Sequence, residues 1–461
     1  MIQPPTPGLR LGYGGQATTM INTPGSAPAP AARPPLKRAL GPWDLTAIGV
    51  NQVIGTGVFL MPALVAAQVG SWSTVAVLAV GGLSMMIALC FAEASSRVEA
   101  TGGSYLYTRT AFGRFIGFEV GWMMWFTRVA SWASVAYGLT MYLARYWPVL
   151  NEGMGRGLFL TIVFAILTAV NIRGIRQSAW VVNALTIGKL LPLVIFVIGG
   201  IAFVEWSRVT PVPPWPPMEQ ASAALLYLIF AFGGYEVVPV PAGEARRPTR
   251  DIPFAMVMTI TIITILTILV QVVAQGVLPD VAASRAPLAD AAVIFLGTSG
   301  ALLLTVGAAI STTGNNMGQS ISGSRSLFAL AEQRDLPSPI AWVHPRWRTP
   351  VVAILLTSGV ALALALTGSF ATLALASAVS RLLVYAGTAA AVLALRRHGR
   401  APFTIPGGPV VPLAALLISI ALVAAATSEQ FKIGGFTLVA GAVLFAIARG
   451  TDALRGRDSN S

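Results

Sequence analysis

Four charged residues lie inside otherwise apolar stretches of this sequence: Arg128, Lys189, Glu236 and Arg381. If these stretches cross a membrane, each charge costs about 2.5–3.5 kcal/mol on insertion scales, so it needs a partner or a function. Burial favours the uncharged amine, so a lysine in such a place can release a proton near neutral pH. These residue types therefore predict ion pairing, proton transfer or contact with a charged solute.

Glu236 has two interpretations at this stage. It can bind the amine-bearing side chain of a solute, which favours cationic substrates or polyamines. It can equally pair with Arg128 or Arg381, because removing one partner of a buried ion pair costs about 3–5 kcal/mol. The two arginines can also belong to a gate on either side of the membrane, and the sequence does not place them.

Two apolar stretches are interrupted by glycines. Gly55-Thr56-Gly57 divides AIGVNQVIGTGVFLMPA, and Gly233-Gly234 divides LLYLIFAFGGYEVVPVPAGE. A helix interrupted at membrane depth persists where its freed amides and carbonyls face a ligand or cavity. Half-helix N-termini favour carboxylates and exposed carbonyls favour ammonium groups, so two broken helices can hold both charges of an amino acid. The simpler alternative is that these glycines only allow close helix packing.

The composition indicates an all-α integral membrane protein. Of the 461 residues, 55% are hydrophobic and 10% are charged, against about 25% charged in soluble proteins. Apolar blocks recur that approach or exceed the roughly 20 residues needed to span a bilayer as a helix. The single cysteine, the two histidines and the lack of the usual enzyme motifs predict no catalytic residues, no metal site and no cofactor.

Four parts are predicted along the chain. They are a disordered cytoplasmic tail at 1–40, a ten-helix core at 41–400, two additional transmembrane helices within 401–450, and a cytoplasmic C-terminal tail at 451–461. The stretch 289–330 is too long for one straight span, so its helix is expected to continue past the membrane and end before Leu336-Pro337. The predicted spans are 44–69, 72–96, 114–144, 156–172, 178–204, 221–243, 253–276, 289–330, 350–367, 370–395, 409–427 and 433–449.

The positive charges test this topology. Of the 30 Lys and Arg residues, 22 fall in the tails and the loops on the same side, and five fall on the opposite side. This bias predicts that both termini are cytoplasmic in a multi-pass protein of the plasma or inner membrane. The formal net charge of +13 is thus explained by membrane topology, and no nucleic-acid partner is expected.

Four sequence runs, in this order, carry a resemblance to a known superfamily. They are VIGTGVFLMP (53–62), EASSRVEATGGSYLYTRTAFGRFIGFEVGW (93–122), FAFGGYE (230–236) with AGEARRPTRDIP (242–253), and SGSRSLFALAEQRDLP (322–337). Through them the chain resembles the amino acid–polyamine–organocation transporters from about Gly41 to Arg400. The resemblance implies a leucine-transporter-like 5+5 inverted repeat with spans 1 and 6 broken, plus two extra helices, twelve transmembrane helices in all.

The resemblance also implies a substrate site at the two breaks. The span-1 break binds the substrate carboxylate in such transporters, and the matching residues here are Ile54, Gly55, Thr56 and Gly57. The span-6 break serves the amine end. Its matching residues are Phe230, Ala231, Phe232 and Gly233, with Tyr235 and Glu236 just beyond.

A lysine in span 5 of some superfamily members places its ammonium where sodium-coupled relatives hold a sodium ion. The resemblance implies this position for Lys189, with Ser311 and Thr312 of span 8 facing it. We expect Lys189 to act as a proton-linked switch in sodium-independent transport. The alternative is a fixed cation that braces spans 1, 5 and 8.

The expected function is secondary active transport of amino acids by a permease, coupled to protons and working by alternating access. The alternatives are polyamine or organic-amine antiport, amino acid exchange, and a sensor that binds amino acids without transporting them. The expected partners are a small-molecule substrate, protons and the lipid bilayer. The sequence leaves the oligomeric state open.

Overall fold

A computed structural model describes residues 40–98, 102–174, 179–240, 244–399 and 401–458. The predicted N-terminal tail, except for Leu40, lies outside the described residues. Leu40 forms an isolated parallel β-bridge with Ala245, and regular secondary structure in the described ranges is otherwise helical.

The described residues form fifteen α-helices, which we number in chain order. They are α1 (Pro42–Val53), α2 (Thr56–Val69), α3 (Ser73–Arg97), α4 (Ser104–Phe112), α5 (Arg114–Leu143), α6 (Gly153–Arg173), α7 (Ala179–Gly200), α8 (Trp206–Val209), α9 (Met218–Phe232), α10 (Pro248–Val277), α11 (Pro287–Glu332), α12 (Val351–Thr367), α13 (Phe370–Leu395), α14 (Val410–Ala424) and α15 (Ser428–Asp458).

Helices occupy all twelve predicted spans, which confirms the all-α fold class. Eight helical segments in the described ranges are long and apolar enough to cross a membrane, and α12 and α14 are shorter apolar helices. Span 1 consists of α1 and α2, and span 6 consists of α9 and a 3₁₀ turn at Tyr235–Val237. Both spans are therefore interrupted where the glycines predict it.

The long stretch near 289–330 is two helices rather than one. Gly297 has φ +66° and ψ −162°, so it interrupts α11 between a short first part and a long second part. The second part ends at Glu332, before Leu336-Pro337 as expected. By helix geometry its roughly 35 residues extend about 50 Å, longer than the hydrocarbon core of a bilayer.

The helices that carry the candidate site pack closely against one another and against their neighbours. α5 packs against both α11 and α13, α1 packs against α10, and α2 packs against α9. Most residues of α5 are buried, including Arg128. At the other end of the chain, α15 continues to Asp458, so the first residues of the predicted C-terminal tail extend the last helix.

Candidate functional site

The break in span 1 leaves backbone carbonyls that side chains of other helices cap. α1 ends at Val53, and Ile54 and Gly55 leave the helical conformation before α2 begins. The last carbonyls of a helix have no partner within it. Here Asn315 Nδ2 donates to Gln52 O at 2.7 Å, and Ser311 Oγ donates to Ile54 O at 3.0 Å.

The ammonium group of Lys189 also caps carbonyls at the break in span 1. Its side chain is buried, and its Nζ donates to Asn51 O at 2.9 Å and to Ile54 O at 3.3 Å. A cation at a helix C-terminus is stabilised by the helix dipole. Ser311 shares Ile54 O with Lys189, whereas the hydroxyl of Thr312 is buried without a hydrogen-bond partner among the described residues. Spans 1, 5 and 8 are thus joined at one carbonyl.

The break in span 6 lies directly against the break in span 1. α9 ends at Phe232, and Gly234 has φ +135°, a conformation that favours glycine. A Cβ on Gly234 would lie 2.6 Å from Gln52 O. Glycine at this position therefore provides both the backbone conformation and the space for the two breaks to meet.

Glu236 lies just beyond this break and is surrounded by donors. Its Oε2 accepts from Gly234 N at 2.8 Å and from Tyr385 Oη at 3.2 Å. Its Oε1 accepts from Arg381 Nη1 and lies 3.2 Å from Arg128 Nη2. The contacts match the ion-pairing interpretation of Glu236, and they bring together two arginines that the sequence could not place.

A small cavity lies between the two breaks. Its volume is about 10 Å³, roughly the room for one water molecule. The guanidinium of Arg381 forms part of its wall and packs against Gly233, where an added Cβ would lie 2.1 Å from Arg381 Cζ. The cavity is lined by Val53, Gly55, Gly57, Ser131, Val135, Phe230, Ala231, Gly233, Asn315, Gln319 and Arg381.

The predicted substrate-site residues divide into two groups. Gly55, Gly57, Phe230, Ala231 and Gly233 line the cavity. The remaining ones are buried around it but do not line it, and these are Ile54, Thr56, Phe232, Tyr235 and Glu236.

Two residues of the predicted carboxylate site already donate hydrogen bonds to carbonyls of the protein. The amide of Ile54 donates to Val50 O at 3.0 Å, and the hydroxyl of Thr56 donates to Val135 O at 3.2 Å. Ile54 therefore has no free amide for a carboxylate. The amides of the first turn of α2 have no partner within the helix by its geometry, and they are the donors available there.

Sequence reasoning missed three polar residues of the cavity wall: Ser131, Asn315 and Gln319. Ser131 Oγ accepts from Arg381 Nη2 at 3.1 Å, and Gln319 Oε1 is buried without a hydrogen-bond partner among the described residues. Asn315 and Gln319 are four residues apart in an apolar span and so share one helix face. That spacing was a usable signal for a polar lining.

A second, larger cavity of about 690 Å³ opens beside the ends of α4 and α11. We call it the vestibule. Its walls include Tyr105, Met124, Ser326 and Gln333, and its charged lining residues are Arg128, Arg325 and Glu332. Arg128 thus reaches from the vestibule to Glu236 beside the inner cavity.

Ion pairs join the helices around the mouth of the vestibule. Asp335 is buried, accepts from Tyr105 Oη at 2.9 Å and from Arg114 Nε at 2.5 Å, and lies 3.4 Å from Arg109 Nη1. Burial and the Asp335 carboxylate raise the pKa of Tyr105 to about 12, so its hydroxyl stays protonated as a donor.

A similar network is centred on Glu93 at the end of α3. Glu93 Oε1 accepts from Arg97 Nη2 at 2.8 Å, and Oε2 accepts from Arg396 Nη2 at 2.6 Å and Ile405 N at 3.0 Å. The hydrogen bond to Glu93 raises the pKa of Arg396 above its usual value. The run 93–122 therefore supplies ion-pair partners at this end of the bundle.

Comparison with known proteins connects this geometry to a family. The chain matches the amino acid permease family over residues 40–447. It is 27% identical to the methylthioribose transporter of Bacillus subtilis (strain 168) over 397 residues, covering 82% of this chain and 86% of that protein.

Two further relatives come from the same organism. The branched-chain amino acid permease BcaP is 27% identical, with 84% of this chain and 88% of that protein covered. The serine/threonine exchanger SteT is 28% identical, with 83% and 89% covered. These are transporters rather than enzymes. The family match over most of the chain, together with these relatives, shows that this chain belongs to the amino acid permease family, within the amino acid–polyamine–organocation transporter superfamily.

Proposed function

We propose that this transporter is an amino acid permease that works by alternating access, without sodium and with coupling to protons. The observation that carries the proposal is the ammonium of Lys189 on the carbonyls of Asn51 and Ile54. A resident cation at the span-1 break makes a bound sodium ion unnecessary there. An amine that gains and loses a proton in this position would change the charge beside the substrate site at each cycle.

The substrate is proposed to bind where the two breaks meet. The free amides at the start of α2, at Gly55, Thr56 and Gly57, would take its carboxylate. The end of α9, at Phe230, Ala231 and Phe232, would supply carbonyls and walls to its amine end. The inner cavity holds only about one water, so the breaks must separate to admit an amino acid, as alternating access requires.

The position of the vestibule indicates to which side of the membrane this arrangement of the helices is open. It opens on the side where the ends of α4 and α11 lie, which is the side that the charge bias assigns to the cytoplasm. We infer an arrangement that is open towards the cytoplasm, in a chain with both termini cytoplasmic in the plasma or inner membrane.

The test is transport by purified protein in proteoliposomes. Uptake of labelled amino acids is measured with an imposed proton gradient, a sodium gradient or neither, for the wild type, Lys189→Ala and Lys432→Ala. Lys432 is exposed and serves as the matched control. We expect proton-driven uptake that survives in Lys432→Ala and loses its proton dependence in Lys189→Ala.

Two results would contradict the coupling scheme. Uptake that needs sodium would remove the role of Lys189 as a resident cation. Full uptake with an unchanged pH profile in Lys189→Ala would leave the lysine as packing only. Binding of amino acids with no flux under any gradient would favour the sensor interpretation.

The similarity to the serine/threonine exchanger SteT favours a second candidate function, which is amino acid exchange. In that case uptake would need only internal counter-substrate, and Lys189 would be a fixed cation. Polyamine antiport has less support, because Glu236 is bound by two arginines and a backbone amide. A polyamine would have to displace them to reach the carboxylate.

A further inference from the structure

Three charged side chains form one buried cluster beside the inner cavity: Arg128, Glu236 and Arg381, which we call the arginine–glutamate cluster. Each side chain has at most 3% of its surface exposed. Two positive charges face one negative charge, so the cluster has a formal charge of +1. Buried charge without a counter-ion is strongly unfavourable, and the imbalance points to a group that the bound solute provides.

Glu236 is already neutralised and enclosed by groups of the protein. Its carboxylate accepts hydrogen bonds from Arg381, the amide of Gly234 and the hydroxyl of Tyr385, and Arg128 Nη2 lies 3.2 Å from Oε1 as an ion-pair partner that makes no hydrogen bond to it. The side-chain ammonium group of a cationic substrate, which is additional to the α-amine held by the carbonyls of α9, would therefore not find a free carboxylate. It would instead approach Arg381, which is the one charged side chain among the lining residues of that cavity.

The arginines, in contrast, have unused donors. Arg128 is fully buried, and its Nε, Nη1 and Nη2 lack hydrogen-bond partners in the described part of the chain. The Nε of Arg381 also has none. Buried arginine donors are normally satisfied, and a planar carboxylate matches their geometry with two parallel hydrogen bonds. Arg128 lines the vestibule and Arg381 lines the inner cavity, so the unused donors lie along the inferred path of the substrate.

We propose that the substrate carries two carboxylates and a net negative charge, as the acidic amino acids do. One carboxylate binds the first-turn amides of α2 and the other binds Arg128 and Arg381. A zwitterionic amino acid leaves the cluster at +1, and a cationic one adds to that charge. The proposal rests on the proposed function, because it places the second carboxylate in the same substrate site.

The first measurement needs no variant and no transport. The thermal stability of the detergent-purified protein is compared with glutamate and aspartate against glutamine and asparagine, which have the same shape without the second charge. We expect stabilisation by the acidic member of each pair at concentrations at least roughly tenfold lower, the factor that one charged hydrogen bond contributes. Equal stabilisation by both members, or stabilisation by the amides alone, overturns the proposal.

The second measurement is uptake by proteoliposomes with Arg128→Gln, Arg128→Lys and, as the control, Arg285→Gln. Arg128→Gln makes the cluster neutral, so we expect acidic amino acid uptake to fall roughly ten- to hundredfold relative to neutral amino acids. Arg128→Lys keeps the positive charge, so we expect it to retain part of the preference for acidic over neutral amino acids that Arg128→Gln loses. Arg285→Gln removes an exposed charge that lies outside the cluster and lines neither cavity, and is expected to keep the preference for acidic amino acids.

The outcomes separate this proposal from the proposed function. Wild-type uptake of neutral or cationic amino acids without acidic ones overturns the charge inference and leaves amino acid transport intact. Uptake of succinate equal to that of aspartate supports the two-carboxylate inference and contradicts an amino acid substrate. If no solute is transported, the proposed function fails, and the thermal comparison alone decides the charge inference.

Discussion

At Gly233 the difference between a hydrogen and a methyl group determines whether Arg381 reaches Glu236. The backbone there has φ −71° and ψ 141°, which alanine adopts without strain. An added Cβ, however, would lie 2.1 Å from the guanidinium of Arg381. We predict that Gly233→Ala displaces Arg381 and lowers uptake in proteoliposomes at least roughly tenfold, since core overpacking commonly costs about 1–3 kcal/mol.

Gly82→Ala is the matched control for this variant. Gly82 lies on an exposed face of α3, and a Cβ there would meet nothing within 4 Å. Alanine favours helix over glycine, so uptake and stability should equal or exceed those of the wild type. If Gly233→Ala also transports normally, Arg381 does not need its observed position for function.

Single residues were easier to predict than their partners. Lys189, Glu236, Arg128 and Arg381 are recognisable in the sequence because a charge inside an apolar span is expensive. Their contacts join residues more than 100 positions apart, as Lys189 with Asn51 and Arg381 with Glu236 do. Such pairs depend on how the helices pack, and one sequence does not contain that information.

At the scale of the elements, Asp335 connects α4 and α5 to the end of α11. It bonds Tyr105 of α4 and Arg114 of α5 and lies next to Arg109. Its side chain is fully buried, whereas the two arginines are about one-third exposed. We predict that Asp335→Asn lowers the free energy of unfolding by about 1–3 kcal/mol, because charged hydrogen bonds are lost while the arginines regain some hydration.

The measurement is the unfolding temperature of the detergent-purified protein, with Asp280→Asn as the control. Asp280 is exposed, and its Oδ1 accepts one hydrogen bond from Ala283 N, which asparagine can also accept. Its variant should unfold at the wild-type temperature. Equal unfolding temperatures for Asp335→Asn and the wild type would mean that the three helices are held by apolar packing alone.

The elements show where pattern reasoning works and where it fails. Long apolar runs and interrupting glycines were sufficient for the twelve spans and both breaks, because membranes require helices of a fixed length. The helix α4 and the interruption at Gly297 were not predicted. α4 is short and partly polar, so no long apolar run marks it as a helix. Gly297 lies within an apolar run, so no drop in hydropathy marks the interruption there.

At the scale of the whole molecule, the vestibule and the charge bias together predict which side of the membrane each end of α11 faces. Ser326 lines the vestibule, and Ser299 is exposed near the other end of the same helix. Twenty-seven residues of helix separate them by roughly 40 Å, more than the thickness of the hydrocarbon core. A thiol at each position therefore reports on opposite sides of the membrane.

Cys90 is the one cysteine of the chain and is buried, so Cys90→Ala gives a thiol-free background for Ser326→Cys and Ser299→Cys. With a membrane-impermeant thiol reagent, we expect Ser299→Cys to react in intact cells and Ser326→Cys to react only in inside-out vesicles. A substrate that drives closure of the vestibule should slow the reaction of Ser326→Cys and leave that of Ser299→Cys unchanged. Reaction of Ser326→Cys from outside would reverse the inferred orientation, and a rate unaffected by a transported substrate would mean that the vestibule does not close during the transport cycle.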